Sequence, residues 1–318
     1  MAFARVNDNV EHLVRSHIWS QELKELLRDD LMATSYVRWL TEFPDGDTFV
    51  IPSIGQAHVR DYHENEPVVY DALDTGEFQF TITEYLSSAT YITRKARQDA
   101  FYASQLESRF VPEQRRSIME HVESNVLALH RWQEEEDKNA INEAAHRRVA
   151  SGDDQAMSVS DFAKSMYALK KANVPQTQMI AIVDPSVEYI MNTQTNLVNV
   201  SNNRMWEGIV ADGIATGMRF SRNIYGFDVW TSNYLDGGIS ETINGDSVSD
   251  GIANLFFSAE GNVLPFVGAW RQMPTVDSEF NKDKQREEYI TTARYGTKLY
   301  RPENLVTVLS EVPSDIKA

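Results

Sequence analysis

One apolar stripe, which begins shortly after Pro112, constrains the fold of this chain more than any other feature. Its members recur at spacings of four, four and three residues and so share one face of a helix: Ile118, Val122, Val126 and Leu129. Proline fits the first turn of a helix, and an acid such as Glu113 is favoured near the N-terminus. The pattern therefore predicts an amphipathic helix that begins at Pro112.

A second apolar run extends this pattern to about Val149. It consists of Ile141, Ala144, Ala145 and Val149, and neither glycine nor a further proline follows Pro112 until Gly152. A continuous helix over this segment is roughly 50 Å long, at about 1.5 Å per residue. The alternative is a pair of amphipathic helices with a break near Glu136, inside an acidic run.

Composition excludes several classes of protein. The chain has 318 residues, 42% of them hydrophobic, which indicates a globular protein large enough for two or three lobes. A formal net charge of -17 argues against a nucleic-acid reader, because such proteins need clustered Lys and Arg. Cysteine is absent, so no disulfide and no thiolate site is expected. With no apolar run of membrane-spanning length and no secretion signal, we expect a soluble protein made in a cytoplasm.

Residues 1–45 are expected to form an arm, and a strand pattern follows them. The apolar residues of the arm predict a modest amphipathic helix that needs a partner surface on the same subunit or on a neighbour: Ile18, Leu23, Leu26, Leu27 and Leu31. A short apolar run ends at Pro52, which predicts a strand that lies at an edge or ends there. Phe78, Phe80 and Ile82 then alternate with polar residues, as in a strand with one buried face.

The segment between these two strands, residues 55–76, is long and acidic. We interpret the whole as a long hairpin with an acidic tip, because long loops in compact domains are generally functional or disordered. The alternative is a surface excursion without a partner. A small basic cluster follows the strand-rich region (Arg94, Lys95 and Arg97), and a solvated turn is favoured there over a ligand site.

The next segments predict a compact α+β lobe. Ser158 or Ser160 caps a helix whose apolar face contains Phe162, Met166 and Leu169. Residues 179–183 form a strand, and a second helix begins after Asp184. Further along, we expect a helix over residues 202–212 that is broken at Gly213 and Gly217.

The C-terminal third predicts mainly strands. Residues 218–233 predict strand, turn and strand, and residues 235–251 predict a loop rich in Gly, Ser, Asn and Asp. Strands are expected at 253–257 and 263–270, followed by a polar turn over 277–286. A β-pair around Tyr295-Gly296 and a last strand from Leu305 to Leu309 complete the chain.

No catalytic motif is present in the sequence. There is no GxGxxG, P-loop, HExxH or GxSxG. The histidines are spaced too widely for an i, i+4 metal pair and are interpreted as surface or satisfied side chains. No cofactor and no metal is therefore expected. An α+β enzyme with its site near Asp184 or Asp228 remains an alternative.

The order of the parts resembles the major capsid protein of tailed bacteriophages, which has the HK97-type fold. Three local matches carry the resemblance: LKKANVP followed by MIAIVDPSVEYIM, then IYGFDVWTSN, then TTARYGTKLYRPENLVTVL. The resemblance implies an α+β, HK97-like capsid fold with an N-terminal arm, an extended β-hairpin (E-loop), a long spine helix, and peripheral and axial domains. It implies the boundaries 1–45 for the arm, 46–94 for the E-loop, 95–155 with 261–301 for the peripheral domain, and 156–260 with 302–318 for the axial domain.

The resemblance also implies a function. The expected protein is a non-enzymatic major capsid protein that assembles with itself, as hexamers and pentamers, into an icosahedral shell around double-stranded DNA. Implied partners are a separate scaffolding protein and a portal, with or without a cement or decoration protein, and there is no sequence-specific DNA binding and no membrane. The implied location is the virion, assembled in the host cytoplasm. An encapsulin-type cellular compartment is the alternative within the same fold.

Charged residues of the hairpin and of the segment after it are candidates for inter-subunit contacts: Arg60, Asp61, Glu64, Glu66, Asp71, Arg94 and Arg97. Some relatives weld subunits with a lysine from the E-loop, but no lysine occurs here between Lys24 and Lys95. Non-covalent interlocking is therefore expected. The arm is too short for a cleaved scaffolding segment, so we expect little or no proteolysis. The net negative charge is expected to limit adhesion to packaged DNA.

Overall fold

The structure is a computed structural model of the chain. It describes residues 29–40, 48–54, 61, 64, 75–99, 103–135, 138–193 and 223–317. The chain divides into two units, Met1–Asp30 and Leu31–Ala318. The fold given below is that of the second unit. The helices expected within the arm and over residues 202–212, together with the break at Gly213 and Gly217, lie outside the described residues.

The apolar stripe forms the long helix α2, with different bounds from those expected. A short helix α1, Arg94–Asp99, precedes α2, which runs over Ala103–Leu127. Pro112 therefore lies inside α2, where it removes one backbone hydrogen bond without ending the helix. Ile118, Val122 and Val126 are buried, as the spacing predicted. A 3-10 turn, Ala128–His130, and a short helix α3, Arg131–Glu135, follow directly.

The expectation that this helix continues to about Val149 is wrong. Residues 140–149 instead form three short strands: β5 (Ala140–Ile141), β6 (Ala144–Ala145) and β7 (Arg147–Val149). Asn142 and Glu143 adopt φ values of 50° and 64°, which reverse the chain and pair β5 with β6. The alternative of a break near Glu136 is closer to the structure, although the second piece is strand and not helix.

The expected hairpin is present as an antiparallel pair, β2 (Thr48–Ile54) and β3 (Thr75–Thr81). Pro52 lies within β2, opposite Glu77, and does not end the strand. Among the described strands β2 pairs only with β3, so the proline occupies an edge, as predicted. The next strand, β4 (Glu84–Thr93), leaves this pair and joins a different sheet.

That sheet has four strands in the order β1-β13-β14-β4, where β1 is Val37–Leu40, β13 is Phe266–Asn281 and β14 is Arg286–Leu299. Two expectations are wrong here. The turn predicted over 277–286 is confined to residues 282–285, and the β-pair predicted around Gly296 is one continuous strand. A Cβ on Gly296 would lie 3.0 Å from the Ile82 Cα, so this glycine permits a close approach of the hairpin and does not form a turn.

The second large sheet has seven strands in the order β7-β15-β12-β8-β10-β9, with β11 paired to β12. Its remaining strands are β8 (Met179–Val183), β9 (Asn223–Ile224), β10 (Phe227–Thr231), β11 (Ile239–Ile243), β12 (Asp246–Ser258) and β15 (Val306–Ser310). Strand β8 coincides with the predicted apolar run. The loop expected over residues 235–251 is wrong: it contains a hairpin whose Asn244-Gly245 turn has φ values of 54° and 97°.

Two helices complete the lobe. Helix α4, Val159–Lys171, begins at Ser158, one of the two predicted caps, and Ser158 and Asp161 bond each other's backbone there. Helix α5 is Pro185–Thr193. Buried side chains lie on both faces of β8: Ala181 and Val183 pack in one cluster with Phe162 of α4. Ile180 and Ile182 pack in another cluster with Val122 and Val126 of α2.

Candidate assembly surfaces

The base of the β2–β3 hairpin is fixed against strand β14. The Phe78 ring meets the Tyr300 ring edge to face, with centroids 5.0 Å apart. Lys298 Nζ lies 5.3 Å from the centre of the Phe78 ring and donates a hydrogen bond to the Gln79 carbonyl at 3.2 Å. Phe80 and Ile82 are buried in one cluster with Ala269 of β13. The hairpin strands are thus held by aromatic, cation–π and apolar contacts at one end.

The residues predicted to contact other subunits fall into two groups. Asp61 and Glu64 are exposed, whereas Arg60, Glu66 and Asp71 lie outside the described residues. Arg94 and Arg97 are exposed on α1. The Arg94 backbone N–H bonds the Gln285 carbonyl at 2.9 Å, and Arg97 forms an ion pair with Glu287. The structure therefore places these arginines beside the β13–β14 turn, and their contact with the acidic hairpin of another copy stays a prediction.

The four-stranded sheet has one face covered by helix α2 and a second face that is covered only in part, where Phe80 and Ile82 bury Ala269 of β13. Helix α2 lies against the first, where Gln114 bonds both Thr90 (2.6 Å) and Thr291 (2.8 Å). On the other face the side chains of Tyr85 and Tyr91 are 64% and 59% exposed. Exposed tyrosines of this kind combine apolar area with a hydroxyl group, as residues of protein interfaces do.

The segment of residues 31–36, here called the anchor segment, is bound to α2 through one carboxylate. Glu123 is fully buried, and its Oε1 accepts the backbone N–H groups of Met32 at 2.8 Å and Ala33 at 2.6 Å. Its Oε2 accepts the N–H of Thr34 at 3.0 Å. Three hydrogen bonds to an ionised group satisfy a charge that would otherwise be costly to bury.

A buried charge cluster, here called the junction, holds the C-terminal end of the long helix against the seven-stranded sheet. Arg147 of β7 is fully buried and forms a forked ion pair with Glu241 of β11. It also donates to His130 Nδ1 at 2.8 Å. Since arginine cannot accept this bond, the His130 ring carries its proton on Nε2 and donates it to Asp236 at 3.0 Å.

The junction shifts the pKa values of its members. Burial lowers the pKa of His130, and the neighbouring Arg147 and Arg131 lower it further, although the Asp236 hydrogen bond opposes this. Burial alone would raise the pKa of Asp236, but hydrogen bonds from His130 and Arg131 outweigh it and lower the value to about 2. His130 is thus a neutral ring between two guanidinium groups and a carboxylate.

Neither a metal cluster nor a membrane-spanning helix occurs in the described part of the chain. No group of three or more His, Cys, Asp or Glu side chains there is arranged to hold a metal. No helix among those residues is long and apolar enough to cross a membrane. His146, which was expected on the long helix, lies between β6 and β7 instead.

Sequence reasoning missed the residues that organise these contacts. The sequence pattern assigns no role to Glu123 or to Arg147. The available signal for Glu123 is its place between Met119 and Leu127 at four-residue spacing, in a row that the helix buries. No sequence signal pairs Arg147 with Glu241, because the two lie far apart in the chain.

Comparison with known proteins relates this geometry to solved structures. No protein-family model matches the chain, and no curated protein matches it. Its structure is similar to the capsid of cyanophage P-SCSP1u, with a TM-score of 0.69 and 14% identity over 94% of each chain. It is also similar to the mature capsid of bacteriophage PhiM1 (TM-score 0.64, 10% identity, 93% of this chain and 91% of the other).

A third similar structure is the capsid of Ralstonia phage GP4. The TM-score is 0.65 at 11% identity, and the match covers 96% of this chain and 98% of the other. Each of the three matches includes more than nine tenths of this chain. The fold predicted from the sequence is therefore confirmed: the chain has the α+β, HK97-like fold of phage capsid structures.

Proposed function

We propose that this chain is a major capsid protein that assembles with itself into the icosahedral shell of a tailed bacteriophage. The observation that carries the proposal is the full-length similarity of its fold to three phage capsids. The exposed tyrosines on one face of the four-stranded sheet support it, because aromatic side chains are enriched in protein interfaces. The protein then acts structurally in the virion and is not an enzyme.

The described helices and strands support a proposed organisation into a peripheral domain, an axial domain, an E-loop and an arm. Helix α2 and the four-stranded sheet form the core of the peripheral domain, and the seven-stranded sheet with α4 and α5 forms the axial domain. The proposed E-loop range, 46–94, contains the β2–β3 hairpin and also strand β4, and the proposed arm range, 1–45, contains β1; both of these strands belong to the four-stranded sheet. Hexamers and pentamers of this subunit, with a separate scaffolding protein and a portal, would build a shell in the host cytoplasm.

The alternative of an enzyme with a site near Asp184 gains no support from the geometry. The Asp184 carboxylate accepts the Ser186 backbone N–H at 2.8 Å and so caps the start of α5. Its own N–H donates to Asn254 at 3.0 Å. These hydrogen bonds give Asp184 a structural role at the start of α5. The encapsulin-type compartment has no observation in its favour beyond the shared fold.

Light scattering with negative-stain microscopy tests the proposal directly. The purified chain, alone and with its scaffolding protein, is expected to form closed particles of uniform size. A chain that remains a monomer or a dimer across protein concentration, salt and scaffold conditions would contradict it. A catalytic activity is not needed to explain any contact described above.

Two further properties follow from the sequence and can be measured on the particles. Subunits should be linked without covalent bonds, since the hairpin lacks lysine, and a denaturing gel should show single chains only. Intact subunits should bind duplex DNA more weakly than about micromolar at physiological salt, because the net charge is -17. A ladder of linked subunits, or tight DNA binding in an anisotropy titration, would count against these properties.

A further inference from the structure

The anchor segment is held by a contact that only a carboxylate can make. Glu123 is fully buried on α2, and its two oxygens accept three consecutive backbone N–H groups, those of residues 32–34. A glutamine of the same shape would turn its NH2 group toward one of these donors. It would leave at least one N–H without an acceptor inside the protein.

The contact lies in an apolar environment that strengthens it. Ala33 and Val37 belong to the same buried cluster as Val122, Val126 and Leu127 of α2. Water is therefore excluded from both sides of the Glu123 carboxylate. In such surroundings a hydrogen bond to an ionised group is stronger than it is at the surface, and its loss costs more.

Aromatic contacts fix the rest of the segment and the strand that follows it. The Tyr36 ring meets Phe257 edge to face at 5.5 Å, and Trp39 stacks on Trp270 at 5.0 Å. Trp39 Nε1 also donates to the Thr34 carbonyl at 3.0 Å. The chain is thus held over residues 32–39.

We propose that Glu123 is a positioning residue that fixes the point at which the N-terminal arm leaves the subunit. This inference rests on the proposed function, in which the arm of each copy must meet the same surface during assembly. A carboxylate on the long helix sets the direction of the chain at residues 32–34. Every copy then presents its arm from one place, so that less conformational freedom is lost when the arm docks.

Hydrogen exchange on the unassembled full-length chain tests the anchor itself. In Glu123→Gln the amides of residues 32–34 are expected to exchange at least about tenfold faster than in the wild-type chain. Glu123→Asp keeps the charge on a shorter side chain and is expected to fall between the two. The matched control is Glu113→Gln, an exposed acid on the same helix, which should leave these amides unchanged. Unchanged exchange in Glu123→Gln would overturn the proposal.

Assembly of the same variants tests what the anchor does. Glu123→Gln is expected to lower the yield of closed shells, and so is the double substitution Leu26→Ser/Leu27→Ser in the apolar face of the arm. If Glu123 acts through the arm, a variant that combines all three substitutions should give a shell yield no lower than the lower yield of Glu123→Gln and Leu26→Ser/Leu27→Ser. The positioning role would be overturned if the fold-reductions in shell yield of the two variants multiplied in the combined variant. A wild-type shell yield from Glu123→Gln would also overturn it. A wild-type chain that forms no shells would contradict the proposed function and leave the exchange result standing.

Discussion

The two large sheets of this protein differ in how completely they are covered. The seven-stranded sheet has buried side chains on both faces of its central strand β8, with α4 and α5 on one side and α2 on the other. The four-stranded sheet is covered by α2 on one face and exposes Tyr85 and Tyr91 on the other. The first sheet is a core complete within one chain, and the second carries a surface suited to another copy.

The largest effect is expected for a substitution in the fully covered sheet. Phe256 is buried and meets Phe162 and Phe227 edge to face, each with centroids 5.2 Å apart. Phe256→Ala should lower the free energy of unfolding by about 4 kcal/mol, because it removes a large side chain and leaves a cavity. Urea denaturation of the unassembled chain measures this. A decrease in the free energy of unfolding of less than about 1 kcal/mol would contradict the interpretation that the seven-stranded sheet forms a fully buried core.

A somewhat smaller effect is expected at the junction between the long helix and the seven-stranded sheet. Arg147→Met leaves the Glu241 carboxylate without its buried cation and should cost about 3 kcal/mol in the same denaturation experiment. Arg147→Met combined with Glu241→Leu should recover part of the loss, since it removes the unpaired charge. A double variant less stable than the single one would contradict the pairing.

The junction should also make stability depend on pH. Because the pKa of His130 is lowered in the folded chain, the unfolded chain binds its proton first as the pH falls below about 6.5. The contribution of His130 to the free energy of unfolding is therefore fully present above that pH. Below it, this contribution falls by up to about 1.4 kcal/mol per pH unit.

His130→Gln is the matched variant for this effect, because glutamine can accept from Arg147 and donate to Asp236 but does not titrate. Denaturation curves at several pH values between 5 and 8 should be flatter for the variant than for the wild type. Equal pH dependence in both chains would show that His130 does not carry the effect.

The smallest effect on stability is expected on the partly covered face of the four-stranded sheet. Tyr85→Ser should change the free energy of unfolding of the isolated chain by less than about 0.5 kcal/mol. Tyr91→Ser should change it by less than about 1 kcal/mol, because the Arg286 guanidinium lies 4.4 Å from the centre of the Tyr91 ring. The yield of closed shells should nevertheless fall, because the proposed interface loses aromatic contact area. Shell formation at the wild-type level would mean that this face stays open in the particle.

Segments with a strong local pattern could be predicted from the sequence. The apolar run 179–183 is a strand as expected, since a continuous apolar run fits a strand buried on both faces. Ser158, which caps helix α4, was one of the two predicted caps, because a serine just before an apolar helical pattern is a local signal. The hairpin β11–β12 was missed although its Asn-Gly turn is a known signal, because the polar residues around it resemble a loop.

The periodicity of the sequence by itself determined the buried face of the long helix and the buried strand β8, and the resemblance to phage capsid proteins indicated the overall fold. Only the tertiary structure decided where the long helix ends, why Gly296 is a glycine, and which partners Glu123 and Arg147 bind. Each of these depends on groups that are far apart in the chain: Glu123 meets residues 32–34, and Arg147 meets Glu241. Such contacts arise from the packing of whole elements, and no local pattern of residues encodes them.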